Sequence, residues 1–270
     1  MRRIAQISDL HFGRHSHSVM EDLLASVNQN RPDLVALSGD FTQRARHGEF
    51  AEARRFLDRL SYPKLVVPGN HDVPLYNVLD RFLHPFAKYN HYVTPVGQPA
   101  SFFRDDKLAV LGLNTARRWA RKNGRVSLEQ IAQIGRIFRE VPPGIFKALV
   151  THHPLGNPSG EAALDPAGRS RLALEAIANA GVHLLLSGHH HRALSGGMTE
   201  IGGEGSVLIV HAGTAISTRL RGVDGNSYNL IDISEERVSV RVMEWIAGQG
   251  FHEIRIVSYV FKEGRWRAAG

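Results

Sequence analysis

The chain contains no cysteine. Disulfides and thiolate metal sites are therefore excluded, and a cytoplasmic setting fits that absence. No apolar run approaches the roughly 20 residues that a transmembrane helix needs, so no membrane span is expected. Met1-Arg2-Arg3 is basic like the start of a signal peptide, but Gln6, Ser8, Asp9 and His11 interrupt any apolar stretch behind it. Internal repeats, low-complexity tracts and long Pro/Ser-rich linkers are absent too. One domain covering residues 1–270 is the expectation. Acidic residues are outnumbered, 26 against 33 basic ones, which leaves a formal charge of +7 with histidine neutral. Such a balance suits anionic partners (phosphates, nucleic acid or a membrane surface), although it also serves solubility alone. An apolar share of 43% and a charged share of 22% are those of a globular protein and exclude disordered, collagen-like and coiled-coil chains.

What is abundant is histidine, at 15 residues, and its placement follows the secondary structure. Short apolar runs at Ile4–Ser8, Leu34–Ser38, Lys64–Val67, Leu108–Leu113, Lys147–Thr151 and His183–Ser187 read as buried strands. Amphipathic stretches at Val19–Gln29, Glu49–Leu60, Leu128–Arg139 and Arg169–Ala180 read as helices between them. The rhythm is that of a layered α/β fold. Further on, Val207–His211, Tyr228–Ile233, Arg237–Glu244 and Ile254–Phe261 read as successive strands with turns such as Asp224-Gly225. They suggest a second, more antiparallel sheet packed on the first. Residues His84–Pro99 and Pro154–Gly168 read as long loops of the kind that cover sites.

Five of the strands end in metal-ligand chemistry. Asp9-Leu10-His11 follows the first, Gly39-Asp40 the second and Gly69-Asn70-His71-Asp72 the third. His152-His153-Pro154 and Gly188-His189-His190-His191 follow two later ones. The carboxyl ends of parallel strands line one crevice, so these groups are expected to meet. Each block alone reads equally as a turn, a helix cap or a surface histidine. Together, Asp9, His11, Asp40, Asn70, His152, His189 and His191 offer seven ligand groups. Mixed nitrogen and oxygen donors suit manganese, iron or zinc. Seven groups exceed one tetrahedral zinc and fit two ions sharing a carboxylate. Such a pair can clamp the attacking and leaving oxygens of an in-line displacement at phosphorus. Two divalent ions, less two aspartates and a bridging hydroxide, leave one positive charge, which suits a phosphodiester anion.

These blocks, in this order from about residue 3 to 193, resemble the calcineurin-like metallophosphoesterases. The subgroup they look most like is the bacterial cyclic-nucleotide phosphodiesterases and glycerophosphodiesterases. The resemblance implies an α/β, four-layer α/β/β/α sandwich with two packed mixed sheets. It implies that Asp9, His11 and His191 hold one ion, that Asn70, His152 and His189 hold the other, and that Asp40 bridges them. It implies attack by a metal-bridging hydroxide, with His71 contacting the phosphoryl group and protonating the leaving alkoxide. Two divalent transition-metal ions, manganese or iron first and zinc as the alternative, are the expected cofactors. Many relatives carry a second Asp three residues after the Gly-Asp aspartate, and here that position is Gln43.

Other residues have less specific readings. Asp72 either orients His71 or caps the segment it begins, with the cap favoured. His190 is assigned no metal role. His153 contacts substrate or solvent, and His15 and His17 belong to a surface loop. Asn114-Thr115 lines the pocket or simply ends a strand. His211 reads as a satisfied histidine of the second sheet. Phe86, Tyr89 and Tyr92 could stack on a base, with packing favoured. Arg117, Arg118, Arg121, Lys122 and Arg125 surround Trp119 as a basic cluster, read as a solvated face in preference to a binding surface. Phe261–Trp266 reads as a closing hairpin with Trp266 packed on the second sheet. The expected substrate is a small phosphodiester, foremost a cyclic nucleotide. A glycerophosphodiester or lipid-linked pyrophosphate is the alternative, and a non-catalytic scaffold of the same fold is the reading from another class. Nucleic acid is not expected as a partner, and the oligomeric state is left open.

Overall fold

Alternation along the buried strands explains the layering. In the second strand, Leu34 and Ala36 face one apolar cluster while Val35 and Leu37 face another, so both faces must be covered. A computed structural model describes residues 1–94, 102–120, 122–158, 165–198, 206–220 and 225–269. In chain order the first half holds β1 (Arg2–Ile7), α1 (His17–Asn30), β2 (Leu34–Ser38), α2 (His47–Asp58), β3 (Lys64–Val67), α3 (Val78–Leu83), α4 (Ala87–Tyr92), β4 (Phe102–Arg104), β5 (Leu108–Leu113) and α5 (Leu128–Arg139). There follow β6 (Phe146–Thr151), α6 (Ser170–Asn179), β7 (Leu184–Ser187), β8 (Leu194–Gly197), β9 (Leu208–His211), β10 (Ser227–Ile233), β11 (Arg237–Ile246), β12 (Gly250–Lys262) and β13 (Arg265–Ala268).

The strands form two sheets, a seven-stranded one ordered β13-β12-β11-β10-β1-β2-β3 and a six-stranded one ordered β4-β5-β6-β7-β9-β8. Between them lie Ile4, Leu34, Leu65 and Val67 from one side and Val110, Val150, Leu186 and Val210 from the other. Each fully buried aliphatic side chain contributes about 1.5–3 kcal/mol. Helices α1, α2 and α4 cover the outer face of the first sheet through Leu23, Phe50, Phe56 and Tyr89. Helices α5 and α6 cover the second through Ile134, Phe138, Leu174 and Ile177. The architecture is thus the expected four-layer α/β/β/α sandwich.

Local signals set the helix limits. The Ser16 side chain accepts from Val19 N at the start of α1, which ends at left-handed Arg31, just before Pro32. Ser127 and Gln130 form a reciprocal capping box at the start of α5.

Two expectations are corrected. The late antiparallel strands do not form a second sheet of their own. β10 pairs with β1, Arg2 opposite Ile233, so β10 to β13 extend the first sheet. β9 instead joins the second sheet parallel to β7. The reason is that β1 has a parallel neighbour, β2, on one side only, and the returning chain covers its open edge. The segment His84–Pro99 is not a plain loop. Residues 87–92 are helical, Tyr89 is buried, and Tyr92 stacks on Phe50 at 6.0 Å, so packing and not base stacking occupies both rings. Residues 95–99 of that stretch, 159–164 of the other and Asp224 lie outside the described residues. The closing hairpin turns at Glu263-Gly264 as expected, while Trp266 packs on Phe146 of β6 and not on a separate sheet of the late strands. Among the described residues, no helix is long and apolar enough to cross a membrane.

Candidate metal centre

β1, β2 and β3 are parallel in one sheet, and β6 and β7 are parallel in the other. Their carboxyl ends open to the same side of the sandwich. Chain packing there is tight. A Cβ on Gly69 would run into the Asp40 carboxylate, and one on Gly188 into Ser8 and Asp9. Only glycine lets these segments approach so closely.

The seven groups converge as two overlapping clusters. In the first, Asp9 Oδ1 lies 3.2 Å from His191 Nε2 and 3.7 Å from His11 Nε2. The two imidazole Nε2 atoms are 3.4 Å apart. In the second, His152 Nε2 lies 3.3 Å from Asn70 Oδ1 and 3.3 Å from His189 Nδ1. Asp40 Oδ2 belongs to both, 3.8 Å from His11 Nε2 and 3.3 Å from His152 Nε2.

Neighbouring groups fix these orientations. His152 Nδ1–H donates to Ser38 O at 2.8 Å, which turns the Nε2 lone pair into the centre. Asp9 Oδ2 accepts from Ser8 Oγ at 2.6 Å and from His189 N at 3.0 Å, leaving Oδ1 for the cluster. Asp40 Oδ1 accepts from His71 N at 2.8 Å, leaving Oδ2. Asp72 accepts from Gly69 N, Phe41 N and both Thr42 N and Oγ1 at 2.9–3.2 Å. It therefore closes the 3-10 turn Asn70–Asp72, of which it is the last residue, and ties that turn to the segment behind Asp40; the expected cap on the segment that Asp72 begins is corrected, since every one of these bonds runs to earlier residues.

The donor set fits a pair of divalent cations. Ligands about 2.0–2.1 Å from one ion stand about 3.0–3.4 Å from each other, the range in which most of these atoms face one another. Asp9 and Asp40 are almost wholly buried, and Asp9 Oδ1 makes no well-formed hydrogen bond. Buried carboxylates of this kind need positive charge. Imidazoles surround both. Burial pushes the Asp9 and Asp40 carboxyls up, but His191 and His11 around Asp9, and His152, His71 and His11 around Asp40, hold both well below the usual carboxylate range. Burial likewise opposes charge on His152, yet Asp40 carries it up to about 9. Burial and the neighbouring His152 press His189 down to about 3.

Sequence reasoning missed one sign of this centre. Asp9, His11, Asp40, His189 and His191 all have positive φ, between 50° and 75°, and make up five of the nine such non-glycine residues among those described. The conformation costs roughly 1–2 kcal/mol per residue and persists where surroundings impose it, most often at functional sites. No residue type betrays it in advance, although Asp and His tolerate it better than most.

The other residues sort themselves. His71 lies edge-on to His11 at 4.8 Å, and its Nδ1–H donates to the backbone carbonyl of Gln43 at 2.9 Å. His153 does not meet solvent, which corrects that reading of it. It is buried, with Nδ1 2.8 Å from Thr115 Oγ1 and Nε2 2.8 Å from Lys122 O, and so pins the segment after β5 beside the centre. Burial, with His152 and His189 nearby, holds it neutral. Asn114 caps the turn with its side chain on Ala116 N. His15 packs on Phe12, and His17 is exposed at the start of α1. His211 is buried in the second sheet, at the end of β9. Arg117 is half-buried and bonded to Asn114 O, Ala116 O and Gln130, unlike a solvated side chain. Arg118, Lys122 and Arg125 are exposed, and Arg121 lies outside the described residues.

A sandwich of two mixed sheets with an Asp/His/Asn centre at the strand ends defines a metal-dependent phosphoesterase. The chain belongs to the calcineurin-like phosphoesterases, whose family model matches residues 2–193. The family is dinuclear-metal dependent. Among curated proteins, the chain is 38% identical over 80 residues to a glycerophosphodiester phosphodiesterase of Enterobacter lignolyticus. That match takes in 26% of this chain and only 29% of the relative's length. It is 27% identical over 207 residues to a protein named probable cyclic nucleotide phosphodiesterase from a Synechococcus species, covering 70% of this chain and 73% of that one. Among solved structures it is similar to a purple acid phosphatase from yellow lupin, at a TM-score of 0.68 and 13% identity. That superposition covers 95% of this chain and 53% of the other, a likeness of fold.

Proposed function

We propose that this chain is a single-domain, two-metal phosphodiesterase acting on small phosphodiesters, cyclic nucleotides foremost. The observation that carries the reading is the pair of donor clusters sharing Asp40 Oδ2. In this reading Asp9, His11 and His191 hold one ion, Asn70, His152 and His189 the other, and Asp40 both. Manganese or iron are the first choice and zinc the alternative, since the donors are nitrogen and oxygen only. What such ions supply when bound is Lewis acidity toward the phosphoryl oxygens and a more acidic attacking water. His71 is the proton donor to the departing alkoxide. Its Nδ1–H is held by Gln43 O, so Nε2 is the ring nitrogen free to exchange a proton with substrate. Asp72 and His153 position the strand-end segments and do not meet substrate. Likeness to the Synechococcus protein over most of both chains favours a cyclic nucleotide. The shorter but closer match to the Enterobacter enzyme favours a glycerophosphodiester as the second reading. A cytoplasmic site of action belongs to the proposal, supported by the absence of cysteine.

The test is turnover of 3′,5′-cyclic AMP, 2′,3′-cyclic AMP and glycerophosphocholine by one manganese-loaded preparation, with a chelated control. A clear preference for either cyclic nucleotide supports the leading reading. Preference for glycerophosphocholine moves the assignment to the second. Turnover that survives chelation overturns the metal chemistry.

A further inference from the structure

Beside the centre, the surface carries large apolar side chains that stand exposed among the described residues. Trp119 is 74% exposed, Leu79 72%, Tyr76 70%, Leu83 66% and Val78 61%. They form one patch. Leu79 and Leu83 are one turn apart on α3, and Phe82 of the same helix packs on Trp119 with ring centres 4.6 Å apart. The patch is braced from below. The Arg81 guanidinium, buried behind α3, donates to Pro74 O, Arg118 O and Ala120 O at 2.7–2.9 Å. Arg118 also donates to Phe82 O at 2.8 Å. These bonds hold α3 and the Arg117–Ala120 turn together as one prominence. It borders the centre on two sides. α3 follows His71 closely in the chain, and the segment beyond Trp119 is fastened by Lys122 O to His153, whose ring lies 4.6 Å from His189.

The charges around it are mostly basic. Between Lys107 and Leu128 the chain has six basic residues and no acidic one. The Arg118 guanidinium lies 5.3 Å over the Trp119 ring, and that of Arg44 lies 5.4 Å over Tyr76. Lys122 and Arg125 are exposed close by. The acidic residue of α3, Asp80, is paired with Lys88 at 3.3 Å.

From this geometry we infer that Tyr76–Leu83, Arg117–Ala120 and Lys122–Arg125 form a docking surface for an anionic lipid bilayer, seated at the rim of the metal centre. An exposed Trp and Tyr with aliphatic neighbours matches the interfacial zone of a bilayer, where amphipathic rings settle. The basic collar matches anionic headgroups, each Lys or Arg near such a surface adding attraction. Apolar contact and basic charge together make a reversible peripheral attachment. Docked this way, the centre faces the headgroup layer, where phosphodiesters are concentrated. The docking itself does not depend on the proposed substrate.

The test is co-sedimentation of the whole protein with vesicles of phosphatidylcholine alone and of phosphatidylcholine with an equal part of phosphatidylglycerol, alongside intrinsic fluorescence. Trp266 is buried and Trp245 is half-buried, so Trp119 reports the patch. Expected are binding to the anionic vesicles only, a blue shift of emission, and release in about 0.5 M salt. The double variant Trp119→Ser with Leu79→Ser, and separately Lys122→Glu with Arg125→Glu, should each weaken binding about tenfold or more. Both should turn over bis(p-nitrophenyl) phosphate as the parent does, which shows that they are folded and keeps this inference separate from the phosphodiesterase reading. Failure of the parent to bind anionic vesicles overturns the inference, as does equal binding by both variants. A parent dimer that the Trp119→Ser/Leu79→Ser protein loses, in sedimentation equilibrium without lipid, overturns it in favour of self-association through this patch.

Discussion

Asp72 offers the sharpest test of how the centre is held together, because it is not among the groups proposed as the ions' ligands and yet is tied to both segments that carry Asp40 and Asn70. It is 1% exposed and receives hydrogen bonds from Gly69 N, Phe41 N, Thr42 N and Thr42 Oγ1. Asp72→Ala leaves three buried backbone N–H groups without an acceptor. The Thr42 hydroxyl can turn to His71 O, already 3.1 Å away, and loses less. An unsatisfied buried donor costs about 1–3 kcal/mol, and neighbouring losses do not add fully. A total of about 4 kcal/mol follows, and at roughly 2–4 °C per kcal/mol for a chain of this size the melting temperature should fall by about 8–16 °C. Asp72→Asn keeps one acceptor oxygen and should lose about half as much. Calorimetry of manganese-loaded samples checks both values, and metal analysis after gel filtration should show that the Ala protein retains fewer ions. A melting temperature within about 2 °C of the parent, with full metal content, would refute the idea that Asp72 clamps the Asp40 and Asn70 segments.

Three other outcomes are expected. Asp40→Ala removes the oxygen common to both clusters, so turnover should disappear and metal content should fall at both positions; retention of most activity sinks the shared-carboxylate assignment. His71→Ala should lower kcat by roughly 10²–10⁴-fold with metal content unchanged, and loss of metal would make His71 a ligand instead. Burial, with His190 adding repulsion, presses His211 down to about 4, so this group is neutral in the fold and takes a proton from about pH 6.5 downward only in the unfolded chain. Its effect on stability is absent above about pH 6.5, grows as the pH falls toward 4, and is then complete at about 3 kcal/mol. Urea midpoints of His211→Gln should lose that part of the acid slope, and an unchanged slope would show that His211 is protonated or solvated in the fold.

Much of the centre was legible because each contribution is local. A short, mostly apolar strand followed within a residue or two by Asp-Leu-His or Gly-Asn-His-Asp names both the element and the side chains at its end. The boundaries of β2, β3, β5 and α5 were readable residue by residue for the same reason. What was not legible depends on partners distant in sequence. The edge of β1 that β10 covers is chosen by which edge remains open after the parallel strands have paired. The role of His153 depends on Thr115 and Lys122, which the fold and not the spacing brings to it. Helices α3 and α4 have only six residues each, too short for periodicity to separate them from loop.

The positive φ values at Asp9, His11, Asp40, His189 and His191 follow the same logic at the level of energy. Backbone preference alone argues against them, as solvation argues against two buried carboxylates among imidazoles. A segment is held in such a state only when neighbours over-determine it, as Asp72 does behind Asp40 and the Ser38 carbonyl does for His152. On the proposed assignment, the cost of burying the two carboxylates would be relieved by cations between Asp9, Asp40 and their histidines. Ion binding should therefore contribute to folding as well as to chemistry. Local conflict between sequence preference and structure is thus greatest where the strand ends meet, and agreement is greatest in the strands that bring them there.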